Sequence, residues 1–245
     1  MIMKKENFFS KAFLSIKPSL IAKALRDEGY YFFPDALTQD TIEKILSEVG
    51  QCDFVFNTND VGLVQYKEQV FFSNILAGSK TTANLVVSNT ILEISRSFLK
   101  RNFRLKCQRY YESKYKYSLG WHVDNKTVND IKTSTNGLVF IFYLNDTFDG
   151  YLEAIRSSNA WSRKSNDTNF NDAIIQNQYK QEIRSFPGKA GSVIITDIST
   201  VHREKKIEQL KYIKKSLFIQ IDDDMHHSEK IIICPHFFYN FNEKV

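Results

Sequence analysis

A histidine and an aspartate stand two residues apart in the stretch LGWHVDN, where His122 and Asp124 follow a tyrosine-rich run. On an extended strand, residues i and i+2 face the same side, so the imidazole and the carboxylate would project together from that face. Two ligands of one metal ion need this geometry. A pattern of three residues is short, and it gains weight only if the fold supplies a third ligand.

A third ligand is available downstream at His202, which follows an apolar segment that predicts a strand. In a jelly roll, a strand this far along the chain commonly lies across from an early one. Two histidines and one carboxylate on one face of an iron ion leave three coordination positions open, as in non-haem Fe(II) oxygenases. The sequence therefore predicts a metal site of His122, Asp124 and His202. It indicates no catalytic residue beyond these ligands.

The next apolar segment, residues 214–222, opens with side chains suited to an anion. Lys214 and Ser216 share a face under the period-2 rule. An ammonium and a hydroxyl there would hold the distal carboxylate of a dicarboxylate that chelates the metal through its other end. Lys215 is an alternative anchor.

Other side chains near the metal pair are candidates for further contacts. Gln108 and Tyr110 share a face of the preceding strand, which leads toward His122. We expect them to reach the metal-chelating dicarboxylate, which would act as a cosubstrate. Three residues are candidates for lining the substrate pocket: Trp121, Asn125 and Arg156. Of these, Trp121 fits the hydrophobic core better than the pocket.

The first hundred residues are predicted to be mainly helical. Apolar residues recur at helical spacing on both sides of a short aromatic strand that ends at Pro34, and residues 81–100 predict a further helix. This part is expected to support the rest of the domain.

From about residue 103 to residue 240, short apolar or alternating segments are separated by polar turns, which predicts an antiparallel barrel or jelly roll. A polar insert near residues 159–182 is expected on the surface over one end of it. We therefore expect a single domain over residues 1–245, mainly β with flanking helices. Its core would be a double-stranded β-helix (jelly-roll, cupin-like) with an N-terminal helical support.

Composition limits the partners. The 33 basic and 28 acidic residues give a net charge of +5 with no long block of one sign, so a nucleic-acid partner is not expected. No apolar run approaches membrane-spanning length, and no signal peptide is evident. The three cysteines lie far apart without a CxxC pair, as in a cytoplasmic protein with reduced thiols. A small-molecule partner is expected, and the sequence does not indicate an oligomeric state.

The order of four segments resembles the Fe(II)/2-oxoglutarate-dependent dioxygenases, specifically their phytanoyl-CoA dioxygenase-like branch. These segments are WHVDN, DGYLEAIRSSNAW, GKAGSVIITDISTVH and KKSLFIQID. The stretch DEGYYFFPDALTQDTIEKI is also similar to the usual opening of that branch, so the resemblance runs from about residue 20 to about residue 222. Two departures stand out: Lys214 replaces the usual arginine, and the usual glycine-rich segment with Pro-Gly reads DGYLEAIRSSN.

The resemblance implies Fe(II), 2-oxoglutarate as cosubstrate and O2, with release of succinate and CO2. Because related halogenases replace the aspartate with a small residue, Asp124 favours hydroxylation of a C–H bond. The polar insert favours a small polar or carrier-linked metabolite, such as a sugar or amino-acid derivative. The residues alone leave two alternatives open: a non-catalytic jelly-roll protein that binds a ligand, and a zinc hydrolase using the same three ligands.

Overall fold

The computed structural model of the 245-residue chain describes residues 7–51, 62–66, 68–124, 136–161 and 168–223, with the backbone alone over 62–66. Asn125 and the part of the predicted strand region beyond residue 223 lie outside these ranges.

Helices precede and flank the strands of the described chain. Their bounds are α1 Lys11–Leu14, α2 Pro18–Glu28, α3 Gln39–Gln51, α4 Lys80–Val86, α5 Asn89–Leu99 and α6 Asp172–Gln178. Helix α2 begins at Pro18, whose ring fixes a helical φ, and ends before Gly29 in the left-handed conformation at φ 88°. The predicted order of helix, short strand and helix over the first fifty residues is confirmed. Among the described residues, no helix is both long enough and apolar enough to cross a membrane.

The single helix predicted over residues 81–100 is two helices. Ser88 lies between α4 and α5 in an extended conformation, and its hydroxyl accepts a hydrogen bond from the backbone N–H of Ile91. This is the geometry of a helix N-cap, so the chain starts a new helix there. The apolar pattern continues across the break because both helices pack on the same core.

Eleven strands are present in the described chain, all paired antiparallel. Their bounds are β1 Tyr30–Phe33, β2 Gly62–Tyr66, β3 Gln69–Ser73, β4 Arg104–Ser113, β5 Leu119–His122, β6 Gly137–Tyr143, β7 Thr147–Ile155, β8 Ile183–Gly188, β9 Val193–Asp197, β10 His202–Glu204 and β11 Lys214–Asp222. They form a seven-stranded sheet in the order β1-β9-β6-β11-β4-β3-β2 and a four-stranded sheet in the order β5-β10-β7-β8. This arrangement confirms the predicted jelly-roll class.

The hairpin of β2 and β3 was not predicted. It extends the large sheet beyond β4, so the first hundred residues supply three strands as well as helices. Each strand is only five residues long. Periodicity over so few residues does not separate a strand from a helical turn.

The large sheet is buried on both faces. Along β6, Leu138, Phe140 and Phe142 pack with the helices, whereas Val139, Ile141 and Tyr143 face the small sheet. A strand covered on both sides needs apolar residues throughout, which explains the continuous apolar run GLVFIFY. A third cluster, which includes Trp121 and Ile175 of α6, covers the outer face of the small sheet. The candidate site therefore lies between two well-packed layers.

Candidate metal centre

Strand pairing in the small sheet brings the two predicted histidines together. His122 ends β5, His202 begins β10, and the two residues are direct partners in the antiparallel register. Residues directly opposite each other on antiparallel strands present their side chains on the same face. Asp124 follows β5 by two residues and lies on that side as well.

The three side chains converge at one point. The Nε2 atom of His122 is 3.9 Å from Oδ1 of Asp124, and Nε2 of His202 is 3.5 Å from Oδ2 of the same carboxylate. The imidazole ring centroids are 4.3 Å apart. One ligand atom from each residue lies within 4.8 Å of the others. The sequence-predicted triad is thus assembled in the fold.

Backbone carbonyls orient both imidazoles. Nδ1 of His122 is 2.7 Å from the carbonyl oxygen of Gly120, and Nδ1 of His202 is 2.9 Å from that of Thr200. A carbonyl oxygen only accepts, so each Nδ1 carries the proton and donates it. In the neutral imidazole the lone pair is then on Nε2, toward Asp124. This support of the outer ring nitrogen is typical of metal-binding histidines.

The charges at the centre suit a cation. Burial, with a smaller contribution from positive charge at His202, lowers the pKa of His122 to about 4, so this imidazole is neutral near pH 7. Oδ2 of Asp124 is buried and has no hydrogen-bond donor in the described part of the chain. The Nε2 atoms of two imidazoles and a carboxylate therefore face one another at the centre. A divalent metal ion fits this set of donors.

A family model described as phytanoyl-CoA dioxygenase (PhyH) matches residues 25–205, which is well over half of the chain. The chain belongs to the phytanoyl-CoA dioxygenase family. The three converging residues all lie within the matched span. No curated protein sequence matches the chain.

Solved structures of 2-oxoglutarate enzymes share the fold. The carbocyclase SnoK from nogalamycin biosynthesis has 13% identity and a TM-score of 0.66, with 86% of each chain covered. HygX from Streptomyces hygroscopicus, with nickel, 2-oxoglutarate and hygromycin B bound, has 13% identity and a TM-score of 0.65 over 85% of this chain and 88% of its own. EctD from S. alaskensis, with 2-oxoglutarate and 5-hydroxyectoine, has 16% identity and a TM-score of 0.68 over 86% and 78%. The fold of this family member is therefore that of the 2-oxoglutarate oxygenases.

Lys214 and Ser216 lie on the face of β11 that looks toward the small sheet. The Lys214 side chain is only 1% exposed, and its Nζ donates to the Gly150 carbonyl at 3.1 Å and forms an ion pair with Glu204. Lys215 is on the opposite face, with Nζ 3.8 Å from a carboxylate oxygen of Glu112. Of the two lysines that the sequence predicts as possible anchors for the cosubstrate, only Lys214 has its side chain between the two sheets.

Gln108 and Tyr110 are not brought to the metal centre. The Gln108 amide donates to Asn74 at 2.7 Å, and its carbonyl accepts from the backbone N–H of Leu76 at 3.3 Å, on the side of the sheet covered by helices. Tyr110 packs in that same core and donates to Glu112 at 2.8 Å. The sequence expectation that these two side chains reach the cosubstrate is replaced by a structural role on the other face of β4.

The inward face of β4 is formed by alternate residues that the sequence analysis did not select. Arg109 and Tyr111 pair across the sheet with Phe218 and Ser216 of β11, and the Arg109 guanidinium donates to the Tyr111 hydroxyl at 3.2 Å. The alternation of β4 was visible in the sequence, but which set of residues faces the candidate metal centre depends on the register with β11. Both residues belong to the chamber between the sheets.

The predicted pocket residues take other places. The Trp121 ring is 1% exposed and lies in the cluster on the outer face of the small sheet. Arg156 forms an ion pair with Glu28 of α2 at the surface, with Nη2 2.8 Å from Oε1. Asn125 is outside the described residues. The structure therefore brings neither Trp121 nor Arg156 to the metal centre.

Proposed function

We propose that the protein is a non-haem Fe(II)- and 2-oxoglutarate-dependent oxygenase that hydroxylates a C–H bond of a small metabolite. The observation that carries this proposal is the convergence of His122, Asp124 and His202 with both Nε2 lone pairs directed at one carboxylate. Bound iron with 2-oxoglutarate and O2 would supply an oxidant able to attack an unactivated C–H bond, with release of succinate and CO2. Family membership supports this chemistry.

The chain's own residues would have distinct roles. His122, Asp124 and His202 would hold Fe(II), and the Gly120 and Thr200 carbonyls would keep the imidazoles in the required tautomer. The hydrophobic layers around the centre would limit the access of water. The presence of Asp124 favours hydroxylation, because its carboxylate would be a metal ligand where related halogenases have a small residue and bind halide.

For the cosubstrate, Lys214 and Ser216 are the proposed contacts. They lie on the face of β11 that is directed at the small sheet, and Lys214 contacts Glu204 of β10, the strand that begins at His202. An ammonium and a hydroxyl are suitable donors to the distal carboxylate of 2-oxoglutarate. We do not assign Gln108 or Tyr110 to this role, because their side chains lie on the other face of β4.

The substrate is proposed to be a small polar or carrier-linked metabolite, such as a sugar or amino-acid derivative. The polar insert near residues 159–182 supports this, since its residue Asn169 forms a β-bridge with His122 and so lies beside the centre. The solved structures of HygX and EctD contain hygromycin B and 5-hydroxyectoine. SnoK is described as a carbocyclase, and mass spectrometry of the product distinguishes the two reactions, since hydroxylation adds one oxygen atom to the substrate.

Turnover of 2-oxoglutarate without substrate tests the proposal. The purified protein with Fe(II), ascorbate, O2 and 2-oxoglutarate should form succinate slowly, and His202→Ala should abolish it while keeping the circular dichroism of the fold. Succinate formation should stop when a chelator removes the metal and return when Fe(II) is added. Failure of the wild type to bind Fe(II) and 2-oxoglutarate would contradict the proposal.

The same experiment separates the alternatives. A non-catalytic binding protein would form no succinate, and its affinity for a ligand would not change on chelation. A zinc hydrolase would be active with Zn²⁺ in the absence of O2.

A further inference from the structure

A buried ion pair occupies the proposed cosubstrate region. The Lys214 ammonium contacts the Glu204 carboxylate and donates to the Gly150 carbonyl at 3.1 Å. It also lies 5.6 Å from the centre of the Tyr143 ring. The lysine side chain is 1% exposed and that of Glu204 is 15% exposed. The carboxylate is therefore the more accessible member of a pair with no net charge.

The pair is built into the strand that carries the metal ligand. Glu204 follows His202 by two residues on β10, so both side chains project from the same face. The acid reaches across from the small sheet to Lys214, the first residue of β11 in the large sheet.

An ion pair of this kind changes what Lys214 offers to a ligand. A distal carboxylate that approaches the ammonium has to share it with Glu204 or displace that acid. Two carboxylates close together in a partly buried site repel each other strongly, because the low local dielectric screens them poorly. A 2-oxo acid without a distal carboxylate would not meet this repulsion.

We propose that Glu204 is a specificity-determining residue that weakens the binding of 2-oxo acids with a distal carboxylate by holding the Lys214 ammonium. This rests on the proposed function, in which a 2-oxo acid binds beside the metal. The wild-type protein should therefore bind 2-oxoglutarate only modestly better than 2-oxobutanoate, which chelates a metal in the same way but lacks the distal carboxylate.

Binding calorimetry on Ni(II)-loaded protein tests this without turnover. In Glu204→Gln, the dissociation constant for 2-oxoglutarate should fall about tenfold or more, since a charge-assisted hydrogen bond from Lys214 becomes available. The constant for 2-oxobutanoate should change by less than about threefold, because that ligand has no group for Lys214. Glu208→Gln is the matched control, since Glu208 is 64% exposed beside Lys206 and should leave both constants unchanged.

The buried lysine requires a control for folding. Glu204→Gln leaves Lys214 without its acidic partner, so its thermal midpoint should fall without ligand and recover with saturating 2-oxoglutarate. The double variant Lys214→Met with Glu204→Gln removes both charges and should bind the two 2-oxo acids with similar affinity.

Two results would overturn the proposal. One is a Glu204→Gln variant that binds 2-oxoglutarate no more tightly than the wild type. The other is a wild-type protein whose dissociation constant for 2-oxoglutarate is more than about a hundredfold lower than that for 2-oxobutanoate. Such a difference would mean that Lys214 already binds the distal carboxylate in the presence of Glu204. A wild type that binds neither 2-oxo acid in the presence of metal would contradict the proposed function as well.

Discussion

Arg203 lies directly after the metal-ligand candidate His202 and projects to the opposite face of β10. Its Nε is 2.7 Å from Glu153, its Nη1 is 2.5 Å from Asp172, and its guanidinium carbon lies 4.4 Å from the centre of the Trp121 ring. The indole N–H of Trp121 donates to Asp172 at 2.8 Å, and this bond with the Arg203 charge holds the pKa of that carboxyl below its ordinary value. The cluster fastens β5, β7 and β10 to α6 behind the metal centre.

The cost of losing the Arg203 cluster follows mainly from the burial of Glu153. In Arg203→Gln, the Glu153 carboxylate loses its cation although its side chain is only 8% exposed. Removal of one partner of a buried pair costs about 3–5 kcal/mol. Ser185 still donates to Glu153 at 3.0 Å, and Asp172 is 63% exposed and returns to water. We therefore expect a loss of about 2–4 kcal/mol in the free energy of unfolding.

Arg156→Gln is the matched control. Arg156 also pairs with a glutamate, Glu28, but the two side chains are 46% and 32% exposed. Water and salt screen such a pair, so the loss should be much smaller. Urea unfolding of the metal-free proteins at pH 7 measures both changes, and similar slopes would show that unfolding exposes the same surface. Equal losses in the free energy of unfolding for the two variants would refute the conclusion that Arg203 stabilises the packing of these strands against α6.

Two further predictions concern the backbone and the pH dependence. Gly29→Ala should cost about 1–3 kcal/mol in the free energy of unfolding, because Gly29 has a φ of 88° and its added Cβ would lie 2.5 Å from the Thr200 hydroxyl. Gly120→Ala has open space around the Cβ and should cost clearly less in the same urea titration; equal costs would contradict this. The stability of the metal-free protein should fall as the pH drops from about 6.5 to about 4, because the unfolded chain protonates His122 first, its pKa in the fold being about 4 against 6.5 ordinarily. Urea midpoints of the wild type and of His122→Asn should be measured above, within and below this pH interval. The midpoint should fall less with decreasing pH in His122→Asn than in the wild type. Parallel plots of midpoint against pH for the two proteins would show that this histidine is not responsible.

The three candidate metal ligands could be selected from the sequence because each step of the inference is local or follows the order of the segments. His122 and Asp124 are two residues apart, so their shared side needs only an extended chain. His202 comes at the start of a later strand, and the order of the segments matches a known family. No exact register was needed to propose that these residues meet.

The residues that line the chamber opposite the candidate metal centre could not be predicted as well, because they depend on strand register. A shift of one residue moves every side chain of a strand to the other face. The sequence alone did not show whether Gln108 and Tyr110 or Arg109 and Tyr111 face inward, and the pairing of β4 with β11 selects the second set.

Glu204 was missed for a different reason. It lies two residues after His202, so the period-2 rule places it on the metal-facing side. Its partner Lys214 comes ten residues later on a strand of the other sheet, and the ion pair exists only because the two sheets pack face to face. The β2–β3 hairpin was missed because each of its strands is only five residues long.

The most direct test of the account is the visible charge-transfer absorption that Fe(II) shows when a 2-oxo acid chelates it, measured without O2. Wild-type protein should develop this absorption only when both Fe(II) and 2-oxoglutarate are present, with one iron bound per chain. His202→Ala, folded by circular dichroism, should not develop it. A wild type that gives no such absorption, or a His202→Ala variant that gives the full signal, would contradict the assignment of His122, Asp124 and His202 as the iron site.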